Sequence, residues 1–285
     1  MSQKPIPNTV AAIIFDWAGT MVDYGSRAPA TVFQRVFEQE GVPITAGQAR
    51  EPMGMAKREH IATITQMPEV ADRWAEKFGG PATDEDVDRM YHDFLPLQKS
   101  VLSDHSDMIP GAVDTFRWCV ENGIKVGSST GYTHELMEVV APLAAAAGYE
   151  PEVVLCAEDA PQGRPAPWLI FECAKRLGVY PTRRIVKVDD TIVGIEAGCN
   201  AGTWTVGITR SGNLIGLSEA EFDALPGAEQ QQRLADASGL MFDAGADFVI
   251  ESVKEIPSLI EEINLRLASG TQPDDARSGT RVNPA

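Results

Sequence analysis

Basic residues are scarce in this chain of 285 residues. Its 24 lysines and arginines are set against 41 aspartates and glutamates, a formal net charge of −17. Capture of a phosphate backbone depends on basic side chains, so nucleic acid is not an expected partner. An anionic small molecule would have to be held by local cations, which screening over about 8 Å at physiological salt permits. Cysteine is scarce too. Cys119, Cys156, Cys173 and Cys199 stand apart with no CxxC pair. They read as reduced, mostly buried thiols rather than a disulfide frame. No apolar run approaches the roughly 20 residues that cross a bilayer. The opening MSQKPIPN lacks the apolar core of a signal peptide. No membrane partner is therefore expected, and the reading is cytoplasmic. Internal repeats and coiled-coil heptads are also missing.

What remains is an ordinary globular composition, 44% hydrophobic and 23% charged, with room for one large domain or two smaller ones. Short apolar runs predict strands at Val10–Phe15, Ile124–Gly127, Val153–Cys156, Ile185–Val188, Trp204–Ile208 and Phe248–Ile250. Most are separated by segments long enough for a crossover helix, which argues for a parallel sheet with helices on both faces. From about Asp23 to Ser103 no strand pattern appears. PATVFQRVFEQEG at 29–41 has Pro29 near its start, an apolar stripe of Val32, Phe33, Val36 and Phe37, and Gly41 at its end. Further helices are expected over Ala56–Gln66, Glu69–Phe78 and Asp84–Val101. The division is therefore a sheet-bearing core of residues 1–22 and 104–268 and an inserted all-helical unit of residues 23–103. The regions around Gly25 and Asp104–Asp107 would link them. The polar tail 269–285, SGTQPDDARSGTRVNPA, is expected to be disordered.

In a doubly wound sheet, ligands bind beyond the carboxyl ends of the strands. Three strands deliver polar groups there: Asp16 after the first, SSTG at 128–131 after the second, and Asp189 with Asp190 after the strand at 185–188. Each alone is ordinary turn or cap chemistry. Together they form a constellation. Carboxylates gathered at one edge repel unless a cation lies between them, and Mg²⁺ suits oxygen ligands of this kind. One oxygen of Asp16 could bind the metal while the other attacks phosphorus, an established nucleophilic route.

FDWAGT, SSTGY and KVDDT, in this order and with a helical insertion after the first, resemble the haloacid dehalogenase superfamily. The resemblance implies a Rossmann-like core with a mobile cap. In the superfamily's phosphatases and mutases a second aspartate, two places after the first, acts as general acid and base. Here that place holds Ala18. DWAGTMVDYGSRAP at 16–29, EPMGMAKREH at 51–60, GSSTGYT at 127–133 and QGRPAPW at 162–168 together resemble the phosphonoacetaldehyde hydrolase (phosphonatase) branch. The likeness runs from about residue 9 to about residue 267.

That branch implies a specific chemistry. Lys57 would form a Schiff base with the substrate aldehyde, and Asp16 would attack phosphorus. Cleaving a phosphorus–carbon bond needs an electron sink on the carbon side, not an acid for a leaving oxygen, so Ala18 fits. The resemblance makes Asp16, the Ala18 carbonyl and Asp190 the Mg²⁺ ligands. Asp190 is chosen because it directly precedes Thr191. Gly194 stands where many relatives carry a further acid, so a water or Asp189 would complete the shell. Thr130 would hydrogen-bond a phosphoryl oxygen, and Arg164 would pair with the nucleophile and the phosphoryl group. His60, three positions after Lys57, could relay protons or be a surface histidine. Met53 and Gly54 could line the site or form a turn, and Tyr132 could face substrate or the core. Ser26 replaces the cysteine of some relatives and is given no essential role. The resemblance also implies a homodimer through the cap and a place in 2-aminoethylphosphonate degradation. The rival readings are a phosphate-ester phosphatase or mutase of the same superfamily, and a catalytically silent scaffold.

Overall fold

The computed structural model describes residues 8–273. Six strands, β1 (Ala12–Phe15), β2 (Lys125–Ser129), β3 (Val153–Leu155), β4 (Ile185–Asp189), β5 (Trp204–Ile208) and β6 (Phe248–Ile250), form one sheet in the order β3-β2-β1-β4-β5-β6. Every pairing is parallel. β1, β4, β5 and β6 are buried along their whole length. Helices on both faces leave neither side to water, which is why these strands read as continuous apolar runs rather than alternating ones. The α/β fold expected from strand–helix alternation is thus observed, and the strand bounds differ from expectation by at most two residues.

Between β1 and β2 lie α1 (Arg27–Gln39), α2 (Ala46–Arg50), α3 (Lys57–Gln66), α4 (Pro68–Phe78) and α5 (Asp84–Leu102), followed by α6 (Ala112–Glu121). The first five are separately stabilised. Phe33, Phe37, Ile61, Ile64, Trp74, Met90 and Phe94 pack into a core of their own, distinct from the core under the sheet. Local sequence sets the helix starts: Thr45 with Gln48 and Thr83 with Asp86 form capping boxes at α2 and α5, and Pro68 opens α4. The five-residue α2 is too short to show a helical period and was not expected.

The remaining crossovers are α7 (His134–Ala147), α8 (Trp168–Leu177), α9 (Ile192–Asn200), α10 (Glu219–Asp223), α11 (Gly227–Asp243) and α12 (Ile256–Ala268). One face of the sheet packs against α6, α7 and α12, the other against α8 and α9. Cys119, Cys156 and Cys173 are buried, which pushes each thiol up to about 12. No helix among the described residues is long and apolar enough to cross a membrane. Of the expected tail, residues 274–285 lie outside the described residues.

Candidate active site

The strand order reverses between β1 and β4, and the carboxyl ends of these strands present Asp16, Asp189 and Asp190. Asp16 follows β1 directly, and its backbone N–H donates to the Val188 carbonyl of β4 at 3.0 Å. Arg164, brought in by the loop before α8, donates from Nη2 to Asp16 Oδ1 at 2.6 Å and to the Ser129 carbonyl. Its Nη1 stands 3.2 Å from Asp189 Oδ2. Arg164 Nε has no hydrogen-bond partner among the described residues. Burial pushes the Asp16 carboxyl up, and the Arg164 charge opposes that. Thr130 lies at the end of β2, where its hydroxyl accepts from the Tyr132 N–H at 3.1 Å.

The two adjacent aspartates differ in their partners. Asp189 Oδ2 is 2.7 Å from Lys187 Nζ, and Oδ1 accepts from the Thr191 hydroxyl and N–H at 2.7 and 3.0 Å. Thr191 in turn caps α9 through Gly194 N–H. Asp189 is therefore already neutralised and is held below the usual carboxylate range: burial pushes it up, but Lys187 and Arg164 outweigh that. Asp190 forms no ion pair among the described residues. It accepts from Asn213 N–H at 2.7 Å and from the Thr20 hydroxyl at 3.3 Å. Burial raises its carboxyl well above the usual range, and Asp16 and Asp189 raise it further. Carboxylate oxygens of Asp16, Asp189 and Asp190 lie within 4.8 Å of one another. A fully buried carboxylate facing another, with hydrogen-bond donors but no ion-pair partner of its own among the described residues, is a donor set that fits a small divalent cation.

Gly194 has a steric explanation. A Cβ there would fall 2.0 Å from the Asp189 Cγ. Asp189 is fixed by Lys187, Arg164 and Thr191, so it cannot retreat. Its carboxylate fills the space that an acid at 194 would need. Gly194→Ala should lower stability by about 1–3 kcal/mol through overpacking. A thermal melt that matches the parent would contradict this account.

The cap lies against this edge. Met53 and Lys57 line a small cavity together with Asp16, Ala18, Ser26, Thr130, Tyr132 and Arg164. A Cβ on Gly131 would stand 2.7 Å from the Met55 carbonyl oxygen and 2.9 Å from that of Gly54, so the core loop and the cap loop meet backbone to backbone. Lys57 opens α3 and is 3% exposed. Its Nζ lies 4.9 Å from the Tyr132 ring centroid and 5.7 Å from that of Phe33. Burial lowers its ammonium to about 7, against the opposing pull of Asp16. His60, one turn further on, is fully buried rather than on the surface. Its ring stacks on Phe33 at 3.7 Å, and Nε2 is 2.9 Å from the Ala49 carbonyl. A carbonyl can only accept, so Nε2 carries the proton. Burial and then the Lys57 charge push the imidazole down, which keeps it neutral. His60 ties α3 to the end of α2 and is not among the residues lining the cavity.

A family model described as haloacid dehalogenase-like hydrolase matches residues 10–202. The phosphonoacetaldehyde hydrolase of Syntrophobacter fumaroxidans is 43% identical over 95% of this chain and 98% of its own. That of Paraburkholderia phytofirmans is 45% identical over 93% of this chain and 99% of its own. The chain belongs to the phosphonoacetaldehyde hydrolase family of haloacid dehalogenase-like hydrolases. A crystal structure of a phosphonoacetaldehyde hydrolase-like protein from Oleispira antarctica superposes with a TM-score of 0.92 at 39% identity, covering 96% of this chain and 100% of that one.

Several residues of this family member's site were not anticipated from sequence. Lys187 sits inside β4 as a fully buried lysine paired with Asp189; the carboxylate two residues on was the available signal. Ser211 and Asn213, after β5, reach Gly19 and Asp190. Arg50 crosses from the cap to the same loop. Nothing local in ARE or RSGN distinguishes these from surface loop residues, and only the fold brings them together.

Proposed function

We propose that this chain hydrolyses the phosphorus–carbon bond of phosphonoacetaldehyde to acetaldehyde and phosphate, as a step in 2-aminoethylphosphonate breakdown. The observation that carries the reading is a buried lysine, lowered to about 7, lining one cavity with a strand-end aspartate. A Schiff-base lysine must be neutral to attack. In this reading the Lys57 amine adds to the aldehyde carbon and water leaves, giving a protonated imine. One Asp16 oxygen then attacks phosphorus. The electrons of the breaking phosphorus–carbon bond move into the imine and form an enamine. Protonation on carbon and hydrolysis release acetaldehyde and free Lys57. Water then cleaves the aspartyl-phosphate. No leaving oxygen needs a proton, so Ala18 stands where an acid would have no task.

Arg164 orients Asp16 and has Nε left over for a phosphoryl oxygen, and Thr130 offers its hydroxyl proton to another. The Tyr132 ring holds the Lys57 amine in place, Met53 keeps water from the imine, and His60 positions α3. Mg²⁺ held by Asp16, the Ala18 carbonyl and Asp190 would offset charge on the transferring phosphoryl group. The cavity volume is about 20 Å³, room for about one water, so substrate enters only when the cap opens. Closure then excludes water from the reacting atoms. Pairing of two copies through the cap belongs to the same reading. Phe78, 49% exposed at the end of α4, is an apolar side chain available to such a contact.

The test combines purified protein, Mg²⁺, phosphonoacetaldehyde and borohydride. A reduced adduct on Lys57 that requires substrate, with phosphate released when borohydride is omitted, is the expected result. Activity on phosphate esters without any adduct would move the chain to the phosphatase reading.

A further inference from the structure

One loop of the core touches the Gly19 turn, the start of the helical insertion at Gly25, Arg50 of the cap and Asp190. It follows β5 and spans residues 209–217. Asn213 N–H donates to Asp190 Oδ2 at 2.7 Å. The Ser211 hydroxyl donates to the Gly19 carbonyl at 2.8 Å, and the Ser211 carbonyl accepts from Gly25 N–H at 2.7 Å. The same loop is gripped from the cap. Arg50, the last residue of α2, donates from Nη1 to Asn213 Oδ1 at 3.1 Å and from Nη2 to the Gly216 carbonyl at 3.0 Å. Nη1 also reaches the Gly25 carbonyl at 2.8 Å, on the segment where the chain leaves the core for the cap. Asn213 answers with its own donor, Nδ2 to the Arg50 carbonyl at 3.1 Å.

These contacts are reciprocal between two residues on opposite sides of the cap–core boundary. Asn213 uses its amide oxygen, its amide nitrogen and its backbone N–H at once, two on Arg50 and one on Asp190. Arg50 also lies seven residues before Lys57, at the start of the loop that carries Gly54 and Met55 onto Gly131. The Ala49 carbonyl beside it is the one His60 holds from α3. Movement of the cap must break the Arg50–Asn213 contacts, and loss of those contacts frees both the Lys57 loop and the loop that steadies Asp190.

We propose that Arg50 and Asn213 form a latch that closes the cap on the core and couples closure to the position of Asp190. Both are positioning residues; neither lines the cavity. The kinetic consequences rest on the proposed function, whereas the closure itself does not. When the latch is engaged, Lys57 is dry and aimed at the site. When it is released, the lysine regains water and its ammonium returns toward the ordinary lysine range.

The experiment uses the full chain with Mg²⁺ and compares the parent with Asn213→Ala, Arg50→Met and the double variant. Hydrogen exchange without substrate is expected to accelerate together in residues 51–60 and 211–217. With phosphonoacetaldehyde, kcat/KM should fall by about tenfold to a hundredfold in each single variant, the scale of a misplaced reacting group. The double variant should be little worse than either single one, because one interaction is lost. The acid limb of the kcat/KM profile should move upward by about one pH unit or more as Lys57 is rehydrated. Parental exchange in both segments would overturn the latch whether or not the chain acts on this substrate. Additive losses with an unmoved acid limb would also overturn it, by reducing both residues to general fold stability. Asn213→Ala keeps the backbone donor to Asp190, so it decides the matter even if Arg50→Met does not fold.

Discussion

Lys57→Met is expected to abolish acetaldehyde and phosphate release from phosphonoacetaldehyde, a loss of roughly 10⁵-fold or more, and to remove the borohydride adduct entirely. Without the amine there is no imine, and without the imine the electrons of the phosphorus–carbon bond have no acceptor. The intramolecular advantage of a positioned amine over one in solution is of that order. Lys57→Arg should be no better, because a guanidinium cannot form the imine and keeps its charge in a dry cavity. In the parent protein, Lys57 is lowered to about 7 by burial, with Asp16 pulling the other way. Imine formation should therefore rise with pH up to about 7 and level off above. Stopped-flow trapping across pH measures this directly, and a profile still climbing at pH 9 would mean that the amine is not dry during reaction.

The same burial carries a stability cost with a definite sign. The folded value of about 7 lies below the ordinary 10.5, so the unfolded chain binds more protons across that window. Stability gained from this group therefore rises between about pH 7 and about pH 10.5, and is lowest below pH 7. At neutral pH the penalty is roughly 4 kcal/mol. In the proposed reading, opening of the cap would limit how much of it the whole fold feels, because an open cap would let water reach the amine. Lys57→Met should accordingly melt several degrees above the parent near pH 7 while being inactive, a stability gain at the expense of function. A lower melting temperature for Lys57→Met would show that the lysine is solvated in the free protein.

The core strands were legible because a sheet covered on both faces needs uninterrupted apolar runs, and Trp204–Ile208 and Phe248–Ile250 could be bounded from that alone. The longer inserted helices were legible from their apolar stripes and end signals, whereas α2 was too short to show one. The placement of Asp16, Thr130 and Asp190 at one edge was legible because parallel strands of this topology end there together. Other features depend on distance in space. His60 shares a helical face with Lys57, but the sequence could not show that Phe33, 27 residues earlier, stacks on it and turns it toward Ala49. Lys187 interrupts an apolar strand, and only the buried Asp189 beside it makes that tolerable. Gly194 read as a missing ligand; the structure shows it as space taken by Asp189. Arg50 and Asn213 are 163 residues apart, and neither carries a local mark of the pairing.

Asp16→Asn separates the two halves of the chemistry. The amide cannot attack phosphorus, and phosphate release should fall by roughly 10⁵–10⁶, the scale on which a missing nucleophile is felt. Imine formation has no need of that carboxylate. The borohydride adduct on Lys57 should therefore persist and accumulate, since the step that consumes the imine is blocked. Its pH dependence should also move in a stated direction. The Asp16 charge raises the Lys57 ammonium, so its removal lets the lysine deprotonate at lower pH, and trapping should begin further toward acid than in the parent. Arg164 still has Asp189 at 3.2 Å in the variant and is not left wholly unpaired. Loss of the adduct along with phosphate release, in a variant that melts as the parent does, would mean that Asp16 serves imine formation as well as attack, and the assignment of one task to each residue would fail.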